Sequence, residues 1–215
     1  MSGSYHPPAG PVQILHRDAS LLIVVKPAGL LTVPGKAAGA DDCLIARLGR
    51  MDRQTRLVHR LDRDTSGVMV FARTHQAQRH LGRQFERRAV GKLYTALVRG
   101  HPARESGEVD LPLIADWPNR PRQMVCPARG RPARTGWRVL GPAGDATRVA
   151  LQPQTGRSHQ LRVHMAELGH PVLGDPLYGP AGGADAPRLM LHATRLAFRH
   201  PEGGAEIAFE APPPF

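Results

Sequence analysis

The sequence predicts an α+β fold built on a large mixed, mostly antiparallel sheet that is flanked by helices and loops. Three observations support this class: short apolar runs recur along the chain, only three segments have helical spacing, and strands follow one another without regular βαβ alternation. The 215 residues, 41% of them hydrophobic, are enough for a substantial core. We expect one domain over residues 14–215, preceded by a flexible arm over 1–13 that is rich in proline, glycine and serine.

The first predicted elements are two short strands and a helix. The apolar runs ILHRD (14–18) and LLIVVKP (21–27) lie on either side of a polar turn. A glycine-rich loop, LTVPGKAAGADD (31–42), comes next, and Asp41 or Asp42 at its end can cap a short helix. The apolar face of this helix would carry Leu44, Ile45 and Leu48.

A group of charged residues directly precedes the next predicted strand. The stretch VHRLDRDTSGVMVFAR (58–73) has five charged or ionisable side chains in six positions, and its apolar run begins at Val68. Charged side chains are rarely buried unless they are paired, so such a cluster beside a core strand indicates the edge of a functional site.

Two further helices and five strands complete the predicted fold. Thr74 is a good N-cap for a helix over 75–88, and Ser158 can cap a helix over 159–168 that ends at Gly169. The alternation of apolar residues predicts the remaining strands at 92–100, 133–140, 146–153, 189–198 and 205–212.

The charge balance favours a polyanionic partner. The chain has 29 lysines and arginines against 18 acidic residues, a formal net charge of +11, which points first to nucleic acid and second to an anionic membrane surface. Nearly all the cations are arginine. This bias suits contacts to phosphates and bases, but it also follows from a GC-rich genome, and both explanations stay open.

The cysteines and the N-terminus favour the cytoplasm. Cys43 and Cys126 are far apart and have no metal-binding spacing, so a reducing compartment is expected. No secretory leader is recognisable, and no apolar run is long enough to cross a bilayer, so we expect no membrane association.

Several common catalytic motifs are absent from the sequence. There is no Walker A loop and no GxGxxG, and His16-Arg17-Asp18 lacks the asparagine of a kinase catalytic loop. The spacings between His159, His164 and His170 are five and six residues, which does not suit a helical zinc site. We expect neither a metal nor a cofactor.

The stretch HRLDRDTSG (59–67) resembles the signature of the RluA family of pseudouridine synthases. Its fixed positions are His59-Arg60-Leu61-Asp62 and Thr65-Ser66-Gly67, followed by an apolar strand. Other family segments occur in the expected order, so the resemblance covers about residues 14–212. They are KPAG (26–29), KLYTA (92–96), GRSHQLRVH (156–164), GHPVLGDPLYG (169–179) and LMLHATRLAF (189–198).

This resemblance implies an enzyme that isomerises hairpin-loop uridines in RNA to pseudouridine. Such an isomerisation breaks the glycosidic bond and rejoins the base through C5, so it needs no cofactor. The segment DLPLIADWPNRPRQMVC (110–126) resembles the family members with dual specificity. The implied partners are therefore a 23S rRNA hairpin loop and the tRNA anticodon stem-loop, bound by a monomer without an S4 domain.

Two alternatives stay open at this point. One is a synthase of the same family that acts on tRNA only or on another rRNA site. The other is an RNA-binding protein that has lost catalysis, although the presence of Asp62, Tyr94 and Arg162 together argues against it.

The resemblance also implies roles for individual residues. Asp62 would be the catalytic aspartate, acting on the ribose as nucleophile or as base, and Arg162 would pair with it and keep it ionised. Tyr94 would pack on the target base and handle the C5 proton. His59 and Arg60 would contact RNA and fill the space left by the flipped uridine, since planar cationic side chains stack on bases.

Neighbouring positions of the motif are expected to be structural. Arg63 and Asp64 lie at free positions and are interpreted as solvated loop charges. Thr65, Ser66 and Gly67 would shape the turn, and Gly67 suits a close approach of two backbones.

Overall fold

The computed structural model describes residues 5–35, 39–180 and 185–215. The chain forms two compact units, one made of residues up to Lys92 together with Ala193–Pro214, the other of Leu93–His192 with Phe215. Residues 1–4 of the predicted arm and 36–38 of the predicted glycine-rich loop lie outside the described residues.

Helices and strands occur in the following order in the described residues. They are β1 (Gln13–Arg17), β2 (Leu21–Lys26), α1 (Leu44–Met51), β3 (Arg56–Leu57), β4 (Ser66–Ala72), α2 (His75–Glu86), β5 (Gly91–Arg99), β6 (Ser106–Asp110), β7 (Leu113–Ala115), β8 (Gln123–Val125), β9 (Arg134–Ala143), β10 (Ala146–Pro153), α3 (Gln160–Glu167), β11 (Leu191–Arg199) and β12 (Glu206–Glu210).

The first unit has a sheet with the strand order β1-β2-β4-β11, in which β12 pairs with β11 and β3 with β4. β2 and β4 are antiparallel and buried on both faces, which explains their continuous apolar sequences. One face packs on α2 through Ile23, Val70 and Leu81. The register sets Lys26, at the end of β2, opposite Gly67 at the start of β4.

The second unit has its own run of antiparallel strands in the order β5-β10-β9-β6. Its core joins Ala96 and Val98 of β5 to Leu151 of β10 and to Leu161 and Met165 of α3. The second face of α3 packs on β7 and β8, which form a separate two-stranded hairpin. α3 is therefore enclosed, and Gln160–Met165 are all buried.

The α+β class and the mostly antiparallel sheet are confirmed. Every pairing with a described register is antiparallel. α2 begins after Thr74, whose side chain accepts a hydrogen bond from the Ala77 N–H at 3.0 Å, as predicted. β3, β6, β7 and β8 were not predicted, because they are short or largely exposed and lack a clear apolar alternation. A single domain over 14–215 stays a prediction.

Two predicted helix caps are wrong. Cys43, and not Asp41 or Asp42, is the N-cap of α1, and the Asp42 carboxylate instead accepts two 2.7 Å hydrogen bonds from Arg47. The N-cap of α3 is His159, in the left-handed conformation with φ 53°, where Ser158 was predicted. The side chain of Gln160 accepts the N–H of Arg157 in that turn, at 3.0 Å.

The described part of the N-terminal arm contacts other residues of the first unit. The Tyr5 hydroxyl donates to the Asp42 carbonyl at 2.9 Å and accepts from the Leu31 N–H at 3.0 Å, while Arg47 donates to the Pro8 carbonyl at 2.8 Å. The flexibility of the arm stays a prediction. In the described parts of the chain, no helix is both long and apolar enough to cross a membrane.

Candidate active site

Asp62 lies on the loop that joins β3 to β4, and the residues on both sides of it are held by buried side chains. The Thr32 hydroxyl donates to the Leu61 carbonyl at 2.8 Å and accepts from the Leu61 N–H at 3.3 Å. On the other side, Lys26 Nζ donates to the Arg63 carbonyl at 2.7 Å. The backbone of Asp62 is therefore fixed, while its side chain remains partly exposed.

Lys26 is a completely buried cation, which is unusual for lysine. Besides the Arg63 carbonyl, its ammonium group donates to the carbonyls of Leu30 at 2.7 Å and Pro27 at 2.9 Å. These carbonyl oxygens replace the hydrogen bonds to water that a charged group loses when it is buried. Lys26 therefore joins the KPAG segment (26–29) to the loop that carries Asp62.

Gly67 allows the strand after this loop to approach β11 closely. Its φ is 125°, and a Cβ at this position would lie 2.3 Å from the Ala193 carbonyl oxygen. No side chain fits there unless the backbone of Ala193 moves. The close backbone approach predicted for Gly67 is present.

His59 and Arg60 differ in their surroundings. The His59 ring stacks on Phe85 with 4.6 Å between centroids, and its Nε2 accepts from the Val70 N–H at 3.2 Å. Burial, followed by the charge of Lys92, lowers the pKa of His59 to about 3. The His59 ring is partly buried and neutral, whereas Arg60 is exposed. The predicted contact of both residues with RNA stays a prediction.

Arg63 and Asp64 pair with each other at the surface. The Nε of Arg63 lies 2.9 Å from Oδ1 of Asp64, and the Arg63 side chain is half exposed. An exposed pair of this kind contributes little to stability, about 0–1 kcal/mol. The interpretation of both residues as solvated loop charges agrees with this geometry.

Tyr94 belongs to the second unit, on β5 opposite Leu151 of β10. It is partly buried and packs against the apolar core that contains Ala96 and Val98, which share its face of the strand. The predicted alternation of β5 places these residues correctly. Tyr94 therefore stands at the edge of a core, with part of its side chain accessible.

Arg162 forms a buried ion pair with Asp175. Its Nε donates to Oδ2 of Asp175 at 2.7 Å and its Nη2 to Oδ1 at 2.6 Å, and the two side chains are 3% and 0% exposed. The N–H groups of Leu177 and Tyr178 also donate to Oδ1, at 2.9 and 3.1 Å. The predicted pairing of Arg162 with Asp62 stays a prediction.

Asp175 is ionised despite its burial. Burial alone would raise the pKa of its carboxyl, but the hydrogen bonds and charge of Arg162 outweigh it and hold the pKa below its usual value. Asp175 in turn fixes the orientation of the Arg162 guanidinium, because the two groups share a bidentate contact.

Tyr178 connects this pair to the rest of the second unit. Its hydroxyl accepts from the Gln123 N–H at 2.7 Å and lies 2.7 Å from Nδ1 of His159. The Arg162 guanidinium lies 5.1 Å from the centroid of its ring. Burial raises the pKa of the Tyr178 hydroxyl above its usual value, so the hydroxyl stays protonated near neutral pH.

A family model described as RNA pseudouridylate synthase matches residues 20–167, which include the Asp62 loop, Tyr94 and Arg162. The chain belongs to this family. It is therefore an RNA pseudouridine synthase, an isomerase of uridines in RNA, as the resemblance to the RluA family predicted.

Individual relatives agree with the family model. The chain is 51% identical over 215 residues to the dual-specificity RNA pseudouridine synthase RluA of Escherichia coli K12, covering 99% of this chain and 98% of the relative. The RluA of Pasteurella multocida is 49% identical over 215 residues, with the same coverage. Human RNA pseudouridylate synthase domain containing 1 superposes with a TM-score of 0.81 at 31% identity, over 98% of this chain and 87% of that one.

The five predicted site residues of this pseudouridine synthase are divided between the two units. His59, Arg60 and Asp62 share one loop of the first unit, and Tyr94 and Arg162 belong to the second. Four residues that support them have no role predicted from the sequence. Lys26, Asp175 and Tyr178 lie inside the family segments quoted above, and this position was the sequence signal that could have identified them. Thr32 lies in no such segment, so no sequence signal pointed to it.

Proposed function

We propose that this pseudouridine synthase modifies two classes of RNA, a hairpin loop of 23S rRNA and the tRNA anticodon stem-loop. The support is the identity of 51% over 99% of the chain to a relative that is named a dual-specificity enzyme. A formal net charge of +11 suits either polyanion. The cytoplasmic location and the monomeric state stay predictions.

Asp62 is the catalytic residue of the proposed reaction. It acts on the ribose of the flipped uridine, as nucleophile or as base, while the glycosidic bond breaks and the base rejoins through C5. The observation that carries this assignment is the pair of backbone contacts on either side of it, from Thr32 and Lys26. A reacting group held within a fraction of an ångström reacts faster than a mobile one.

The other predicted residues act on the same uridine. Tyr94 packs on the base and takes part in the transfer of the C5 proton. Arg162, oriented by Asp175, keeps the catalytic carboxylate ionised. Arg60 contacts the RNA and occupies the space left by the flipped base, a role for which an exposed guanidinium is suited.

Two aspartates of the same loop provide a direct test. Asp62→Asn should lower the rate of pseudouridine formation in both RNAs by at least about 1,000-fold, equivalent to about 4 kcal/mol of transition-state stabilisation. Asp64→Asn, two residues away in a surface pair with Arg63, should stay within about threefold of the wild type. Equal activities of the two variants would rule out Asp62 as the catalytic residue.

A strain that lacks the gene shows whether each of the two proposed RNAs is a substrate. Pseudouridine mapping of its 23S rRNA and tRNA should show the loss of one position in each RNA, and both should return with the wild-type gene but not with Asp62→Asn. Loss confined to tRNA would support the alternative of a tRNA-only enzyme, and loss in neither RNA would contradict the proposed substrates.

A further inference from the structure

An exposed tryptophan lies on the turn of the β7–β8 hairpin. Trp117 is 67% exposed, the highest value for any large hydrophobic residue in the described parts of the chain. It follows Asp116 in the turn between Ala115 and Gln123, and it takes no part in the machinery proposed above. An indole in solvent is costly, and tryptophans of this kind mark binding surfaces.

The turn that carries Trp117 is rigidly built. Asp116 N–H donates to the Arg122 carbonyl and Arg122 N–H to the Asn119 carbonyl, both at 3.0 Å. The Asn119 side chain donates to both carboxylate oxygens of Asp116, at 2.9 and 3.1 Å. The tryptophan is therefore presented on an ordered turn, and binding a ligand there costs little conformational entropy.

The exposed ring contacts one arginine and lies on a segment that is rich in arginine. The Arg120 guanidinium lies over one face of the indole. Arg122 donates to the Leu177 carbonyl and lies 5.2 Å from the centroid of the Tyr178 ring. Residues 116–131 contain four arginines and a single acidic residue, Asp116. An aromatic ring on an arginine-rich segment is an arrangement that binds unpaired nucleotides, because the ring stacks on a base while the cations contact phosphates.

The hairpin is also connected to the residues that hold Arg162. The Gln123 N–H donates to the Tyr178 hydroxyl at 2.7 Å, and the Tyr178 N–H donates to Asp175, which carries the bidentate contact to Arg162. A ligand that binds to the hairpin therefore contacts a segment that is linked by hydrogen bonds to the proposed catalytic arginine within the same unit.

We propose that Trp117 stacks on an unpaired nucleotide of the substrate RNA other than the target uridine, with Arg120 and Arg122 contacting the adjacent phosphates. This inference rests on the proposed function, since it takes the ligand to be RNA. The choice of RNA over a protein partner follows from charge, because the four arginines and the net charge of +11 complement a polyanion.

Tryptophan fluorescence tests the contact directly. The chain has two tryptophans, and Trp137 is only 9% exposed. Titration with an anticodon stem-loop RNA should therefore quench the emission of Trp117 through stacking. In Trp117→Phe, whose remaining tryptophan is buried, this quenching should be absent although the RNA still binds.

Binding measurements provide the second readout. Trp117→Ala should bind the loop RNA at least about fivefold more weakly, since loss of one stacked base costs that much or more, and Trp117→Phe should retain most of the affinity. Leu140→Ala is the matched control: Leu140 is a 45% exposed apolar residue of the same unit, and its truncation should leave affinity unchanged. Melting temperatures of all variants should agree with the wild type.

Each other outcome overturns the inference. Unchanged tryptophan emission at saturating RNA, or an affinity of Trp117→Ala within twofold of the wild type, would show that Trp117 does not belong to the RNA-binding surface. A wild-type dimer that becomes monomeric in Trp117→Ala would assign the surface to a second copy of the chain. Both readouts measure binding, so an enzyme that forms no pseudouridine but binds through Trp117 would contradict the proposed function alone.

Discussion

The Arg162–Asp175 pair makes a quantitative prediction, because the chain contains an exposed pair with the same chemistry. Asp175→Asn keeps the volume of the side chain but removes the carboxylate charge that contacts the guanidinium of Arg162, which is 3% exposed. Breaking a buried pair from one side costs about 3–5 kcal/mol. Since asparagine still accepts one hydrogen bond, we expect about 3 kcal/mol, a more than 100-fold loss in the folding constant.

Asp110→Asn is the matched control. Asp110 accepts from Nη2 of Arg134 at 2.6 Å, the same distance as in the buried pair, but these side chains are 52% and 47% exposed. An exposed pair contributes about 0–1 kcal/mol. Urea unfolding of both variants at pH 7, followed by circular dichroism, should therefore separate them by about 2 kcal/mol or more.

The pH dependence supplies a second check on the same pair. The pKa of Asp175 is lower in the folded protein than its ordinary value of 3.8. Its ionisation therefore stabilises the fold above about pH 4, and this contribution disappears as the pH falls through the folded-state pKa. Asp175→Asn should lose less stability than the wild type on acidification below pH 4. Equal losses in Asp175→Asn and Asp110→Asn at pH 7 would refute the role given to burial.

Three further predictions concern the first unit. Lys26→Met removes an ammonium group that donates to three carbonyls. Because the variant no longer buries a charge, part of this loss is offset, and we expect a net loss of about 2–5 kcal/mol in urea unfolding together with reduced pseudouridine formation. Unchanged stability would contradict the role of Lys26 in holding the Asp62 loop. Gly67→Ala places its Cβ against the Ala193 carbonyl and should cost more than about 3 kcal/mol, whereas Gly82→Ala, on α2 with nothing within 4 Å, should stabilise by about 0.5–1 kcal/mol in thermal unfolding. Because the folded pKa of His59 is about 3, against 6.5 in the unfolded chain, protonation favours unfolding as the pH falls below 6.5. His59→Phe should therefore shrink the difference in stability between pH 7 and pH 5 by about 2 kcal/mol, and an unaltered difference would mean that His59 is not held neutral in the folded protein.

Strong periodic patterns were sufficient for much of the fold. The all-apolar runs of β2 and β4 predict buried strands, and Thr74 before the Ala77/Leu81 face predicts α2. These elements follow from local sequence because each buries a continuous face. The predicted caps of α1 and α3 were wrong because they depend on individual side-chain contacts and not on a continuous buried face. The Asp42 carboxylate accepts from Arg47, and the Gln160 side chain accepts the Arg157 N–H in the first turn of α3.

The candidate site was predictable only in part. Motif order predicts roles for Asp62, Tyr94 and Arg162, because family segments carry these positions, and these roles stay predictions. The partner that structure reveals for Arg162, Asp175, lies 13 residues further along, and the contacts of Thr32 and Lys26 with the Asp62 loop span 29 and 37 residues. No local pattern encodes contacts of such separation. The neutral state of His59 likewise depends on Phe85 and Val70, which its sequence neighbours do not announce.

The burial of Lys26 has a use beyond stability. An amine with no accessible surface, donating to three carbonyls, does not react with acylating reagents until the Asp62 loop separates from the KPAG segment. The rate at which a mass-tagged reagent labels Lys26 under native conditions therefore measures how often that loop opens. Lys26 is therefore a built-in probe of opening in the loop on which the proposed chemistry depends.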